Sequence, residues 1–159
     1  MRVLVGGVGY RNLSDLSAGP LFVDRASEAG GLGERADLED LSYGPIDVLF
    51  ALQRRAPYGK LVLVAAAARG DPPGTVRRER WLSRPIDPAA LQGCVAEAVT
   101  GVISHMNLLH ILTHFAVLPE PTVVVEIEPE REAWGEELSP AVDAALARAA
   151  ELVRREIAA

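Results

Sequence analysis

Lysine is nearly missing from this sequence. Lys60 is the only one among 16 basic residues, and 22 acidic residues outnumber them. The net charge of −6 argues against nucleic acid as a main partner, which would favour a basic footprint. Cysteine is reduced to Cys94, so neither an internal disulfide nor a cysteine-rich metal centre can form, which suits a reducing compartment. Aromatic residues contribute only 5%, which leaves the core to aliphatic side chains. Long apolar runs are also absent: no stretch reaches the ~18 uncharged residues that span a bilayer. The opening apolar run is too short for a signal-peptide core. No membrane partner is expected, and the expected location is the cytoplasm.

What remains is ample for one folded unit. Hydrophobic residues make up 49% and charged ones 24% of 159 residues, which excludes overall disorder and suits a single domain over 1–159. There is no repeat, linker or low-complexity tract.

The first twenty residues organise the rest. Val3 to Val5 reads as a buried strand, and Gly6, Gly7 and Gly9 as a sharp turn behind it. Gly19-Pro20 then starts a helix, with proline in its first turn. Strand, glycine loop and helix form the first unit of an open α/β sheet, whose ligands bind at the carboxyl ends of the strands. The expected site is therefore the loop around residues 8–19.

Further elements follow in order. A weak strand is expected from Arg35 to Leu41, then a helix starting at Pro45 and closed by Pro57. Lys60 to Ala67 is apolar without alternation, as in a parallel strand covered on both faces. Residues 69–75 form a loop, and Val76 to Arg80 a short strand whose arginines blunt a sheet edge. Helices are expected from Asp87-Pro88 to Val99 and from Ser104 to Val117, the second apolar nearly all round. Thr122 to Ile127 is the last strand, and Ser139-Pro140 caps the final helix. The expected fold is a three-layer α/β/α domain, its sheet mostly parallel with one antiparallel edge strand.

Several bare chemical readings fail. Counting from Gly7, the third glycine of a dinucleotide fingerprint falls on Asn12. Ser14, Ser17 and Ser104 lack the glycine-flanked elbow that exposes a nucleophile. Cys94 suits a small core position. His110 and His114 share a helix face, but His105 lies about 140° away from His110, so the three cannot converge.

The motifs carry a resemblance as well. Gly7-Val8-Gly9, Asp15 and Gly19 match without a gap the opening motif of the hydrogenase maturation endopeptidases, which trim the C-terminal tail of the nickel-iron hydrogenase large subunit. Gly70 and Pro73-Gly74-Thr75 resemble that family's segment after the second core strand, and Ser104-His105 the opening of its long helix. Glu128-Pro129 and Leu138-Ser139-Pro140-Ala141-Val142 resemble its C-terminal signature. The resemblance implies a protein partner, an immature large subunit, and two carboxylates with one histidine that meet its nickel.

Here the motif departs from the pattern. Tyr10 holds the asparagine position, and the two carboxylate positions fall on Leu16 and Ala65, leaving His105 as the one matching ligand candidate. Asp15 is a possible substitute, as is Asp71, although a neighbour in an extended segment points away from the residue it replaces. One imidazole cannot make a site, so no tightly bound cofactor is expected. The expectation is a maturation protease-like protein with impaired or altered catalysis. The alternatives are an active endopeptidase with a rearranged site, and a binding or scaffold protein unrelated to hydrogenase.

Overall fold

A computed structural model describes all residues 1–159. Its first strand, β1 (Val3–Val8), runs through Gly6 and Gly7, so these two glycines lie within the strand and not in a turn behind it. Close approach explains their type. A Cβ on Gly7 would stand 2.2 Å from the Gly19 carbonyl oxygen, and one on Gly19 would stand 2.5 Å from those of Val8 and Val64. The first turn of α1 (Ala18–Glu28) thus rests directly on the strand backbones, preceded by a short 3-10 turn at Ser14–Ser17.

The chain continues through β2 (Ala36–Asp40), α2 (Pro45–Gln53), β3 (Lys60–Ala66) and β4 (Val76–Arg80). It ends with α3 (Pro88–Val99), α4 (His105–His114), β5 (Thr122–Ile127) and α5 (Pro140–Ala158). Helix starts follow local chemistry. The Asp87 carboxylate accepts from the amides of Ala89 and Ala90, and the Ser104 and Ser139 hydroxyls accept from those of Asn107 and Val142. The five-stranded sheet has the order β2-β1-β3-β5-β4, parallel except where β4 pairs antiparallel with β5.

Two apolar layers flank the sheet. Val3, Val5, Val62, Val64, Val125 and Ile127 pack under α1 and α5. Leu4, Val8, Leu61, Leu63 and Val124 pack on the other face, under α2 and α4. Period-2 alternation sends successive side chains to opposite layers, and apolar residues at both parities make the strands read as continuous apolar runs. In α4, Leu108, Leu109, Ile111 and Leu112 are at most 2% exposed. Each such burial contributes about 1.5–3 kcal/mol before entropy is counted. That helix stops at His114, three residues short of Val117, because Ala116 turns with φ 54°. By contrast α3 buries no residue, and Cys94 is only half-buried in it, not a core residue.

No helix is long and apolar enough to cross a membrane.

Candidate functional site

Register brings four residues into one row across the sheet. Val8 on β1 pairs with Ala65 on β3, Ala65 with Glu126 on β5, and Glu126 with Arg77 on β4. Alternation turns their side chains to the face covered by α4. His105 is the first residue of α4, and its Nε2 lies 2.9 Å from Oε1 of Glu126. The carboxylate accepts, so Nε2 donates. The histidine therefore sits at the carboxyl ends of β3 and β5, one strand over from Ala65.

Glu126 is the centre of this cluster. Its side chain is only 7% exposed. The loop after β3 returns Arg69 to it in a forked pair, Nε 3.0 Å from Oε2 and Nη2 2.6 Å from Oε1. The hydrogen bond from His105, and then those from Arg69, hold the Glu126 carboxyl far below the usual carboxylate range, against the burial that would raise it. Glu128, two residues on, accepts from the amides of Arg69 and Gly70 and from Arg77. These bonds lower its pKa despite burial. Gly70 has φ 87°, a conformation that lets the loop double back to offer both amides to one carboxylate.

Arg77 is turned inward, which corrects the view of the β4 arginines as edge charges. Its side chain is 16% exposed, with Nη2 2.7 Å from the Ala67 carbonyl and Nη1 shared by Glu128 and Asp71. Arg78 does face outward, to Glu156. Asp71 is thus spent on Arg77.

The first loop uses its acid differently. Leu16 is half-buried on the 3-10 turn, where its carbonyl accepts from the Tyr10 amide at 3.0 Å. Asp15 is fully buried and points to the segment 128–139. Its oxygens accept from the amides of Ser139 at 2.7 Å, Glu130 at 2.8 Å and Arg131 at 2.9 Å, and from the Ser139 hydroxyl at 2.8 Å. Burial alone would raise this carboxyl, yet the four bonds lower it. Asp15 therefore buckles the C-terminal loop to the first loop, helped by the short bridge between Leu13 and Gly135. Tyr10 ties down a third segment: its hydroxyl accepts from the Ile103 amide at 2.8 Å, two residues before His105.

A cavity of about 200 Å³ opens beside the row, with Val8, Leu41, Tyr43, Val102, Ile103 and Ser104 in its wall. The remaining candidates lie apart. His110 packs edge-on against Trp81 with ring centroids 5.1 Å apart, and His114 is exposed. No cluster of three or more histidine, cysteine or acidic side chains is placed to hold a metal ion. Ser14 and Ser17 are buried donors to the carbonyls of Glu137 and Ser14 respectively. Glu126 was missed by motif reading, although a lone acid within Val-Val-Val-Glu-Ile, a run otherwise apolar on both parities, is a legible signal.

No family model and no curated protein matches the chain. Solved structures do. The hydrogenase 2 maturation peptidase of Thaumarchaeota archaeon SCGC_AB-539-E09 is 26% identical, with 99% of this chain and 98% of that one covered at a TM-score of 0.69. The hydrogenase maturating endopeptidase HybD of E. coli is 23% identical over 96% and 90% of the two chains, at a TM-score of 0.68. The [NiFe] hydrogenase maturation protease HycI of Thermococcus kodakarensis KOD1 is 18% identical over 99% and 93%, at a TM-score of 0.71.

Proposed function

We propose that this chain, whose architecture fits the hydrogenase maturation proteases, recognises an immature nickel-iron hydrogenase large subunit, or a related protein partner, without metal-directed cleavage. The observation that carries this reading is the donor set beneath the cleft. At the two positions where the family pattern calls for carboxylates stand Leu16 and Ala65, which have no lone pair to give. His105 is committed through Nε2 to Glu126, and Glu126 is already paired with a guanidinium. An incoming divalent ion would meet hydrocarbon and positive charge where it needs oxygen. These residues do not fit nickel carried by a partner.

The binding side of the reading rests on what is built and rigid. Three connections converge on the mouth of the sheet, pinned by Asp15, Tyr10 and Glu128. The apolar cavity next to them offers room for a partner's side chain.

The test mixes the purified chain with a nickel-loaded, unprocessed large subunit and follows both the complex and the intact mass of the tail. A complex with the tail retained is the expected result. Tail loss that disappears in His105→Ala would establish the active endopeptidase instead. Absence of any complex would leave a scaffold protein unrelated to hydrogenase.

A further inference from the structure

One charged group at this site belongs to no motif of the family pattern. Arg69 reaches back over the end of β3 and lays its fork on Glu126, and its own amide is bound by Glu128 at 2.8 Å. The pair is asymmetric in depth: the Arg69 side chain is 47% exposed, while that of Glu126 is 7% exposed. The guanidinium therefore covers the carboxylate from the more exposed side, the side from which an ion would have to approach Glu126. Arg77 lies on the strand side of the same acid, with Nε 3.5 Å from Oε2 and its other nitrogens given to Glu128, Asp71 and Ala67.

We propose that Arg69 is a built-in cation that takes the place of a metal ion in this cleft. It rests on the reading that the wild-type chain does not take up nickel. In this arrangement the acid stands one strand over from position 65, at position 126, and the chain supplies the positive charge itself. A guanidinium suits this role. It is charged at every physiological pH, and its planar fork matches both carboxylate oxygens. It also competes with a divalent ion for the same lone pairs, which makes the cleft blind to metal. Without it, the Glu126 carboxylate is held on that side only by its hydrogen bond from His105, and a first-row metal that displaces the shared proton accepts both the carboxylate and the imidazole as donors.

Nickel chloride titrated into the full chain and followed by calorimetry tests the proposal. Wild type is expected to show no saturable binding at millimolar nickel. Arg69→Met should bind one ion at least tenfold more tightly, and adding His105→Ala should remove the gain. Adding Ala65→Asp to Arg69→Met supplies a third donor and should tighten binding by a further tenfold or more. A folded Arg69→Met with no gain overturns the built-in cation and leaves the proposed function standing. Saturable binding by wild type that depends on His105 overturns both. If Arg69→Met does not fold, Arg69→Met/Glu126→Gln removes the acid's charge along with that partner. Recovery of the fold then supports the pairing, and failure to recover overturns it.

Discussion

Replacing Asp15 with alanine should cost this protein about 3–5 kcal/mol. The carboxylate is fully buried and accepts from the amides of Glu130, Arg131 and Ser139 and from the Ser139 hydroxyl, all within 2.9 Å. Hydrogen bonds to a charged group contribute about 1.5–3 kcal/mol each, and an abandoned buried donor costs about 1–3 kcal/mol. These figures do not simply add, since segment 128–139 can relax and admit water, so the expected loss lies below their sum. It is still a large share of the ~5–15 kcal/mol available to a domain. For a chain of this length it corresponds to a fall in Tm of about 10 °C or more. Asp15→Asn keeps the shape but turns one donor toward a donor, so about 2–3 kcal/mol is expected. Urea unfolding at neutral pH measures both variants, and limited proteolysis reports whether segment 128–139 has come loose. A loss for Asp15→Ala below about 1 kcal/mol would refute the buckle.

Glu126 predicts a pH dependence, and Asp15 adds to it. Both carboxyls are lowered in the folded state, so the unfolded chain takes up protons first as the solution is acidified. Their contribution is complete above about pH 5 and is lost as pH falls through the folded values; Tm should be level from neutral to about pH 5 and drop steeply below about pH 4, with a shallower drop in Glu126→Gln. Gly19→Ala should prevent accumulation of folded protein, because its Cβ would lie 2.5 Å from two strand carbonyls, and soluble yield with circular dichroism checks this. Trp134, 87% exposed, should be replaceable by alanine within about 0.5 kcal/mol in the same urea assay.

The sheet and its helices were legible because their signals are local. Val3 to Val5 and Leu61 to Val64 are apolar at both parities, and only a strand covered on both faces needs that. Asp87-Pro88 and Ser139-Pro140 mark helix starts through bonds made within three residues. The glycines were harder. Gly6 and Gly7 look like turn residues from the sequence, but their reasons are contacts made across the fold, the Leu41 and Leu63 side chains at Gly6 and the α1 backbone at Gly7. Asp15 shows the same limit. A short acid in a loop suggests amides close by in the chain, whereas its partners lie more than a hundred residues away.

The site itself depends on register, which the sequence does not display. Residues 8, 65, 126 and 77 are scattered along the chain and become neighbours only because three parallel strands and one antiparallel strand are aligned. Once they are, Ala65 and Glu126 acquire a common meaning. A carboxylate at 65 beside one at 126 would set two acids on adjacent strands and the same face, where like charges oppose each other and one proton must stay bound. A small apolar residue at 65 avoids this conflict and leaves the carboxylate of Glu126 to be balanced by Arg69 and Arg77. The small apolar residue at 65 and the acid that motif reading passed over are thus two halves of one electrostatic arrangement. Introducing a carboxylate at 16 or 65 alone should consequently fail to create a metal site: Ala65→Asp without Arg69→Met adds a charge that the guanidinium can also serve, and Leu16→Glu leaves position 65 empty of donors. Calorimetry with nickel chloride on those single variants should stay indistinguishable from wild type, and tight binding by either one would show that Arg69 does not control access to the cleft.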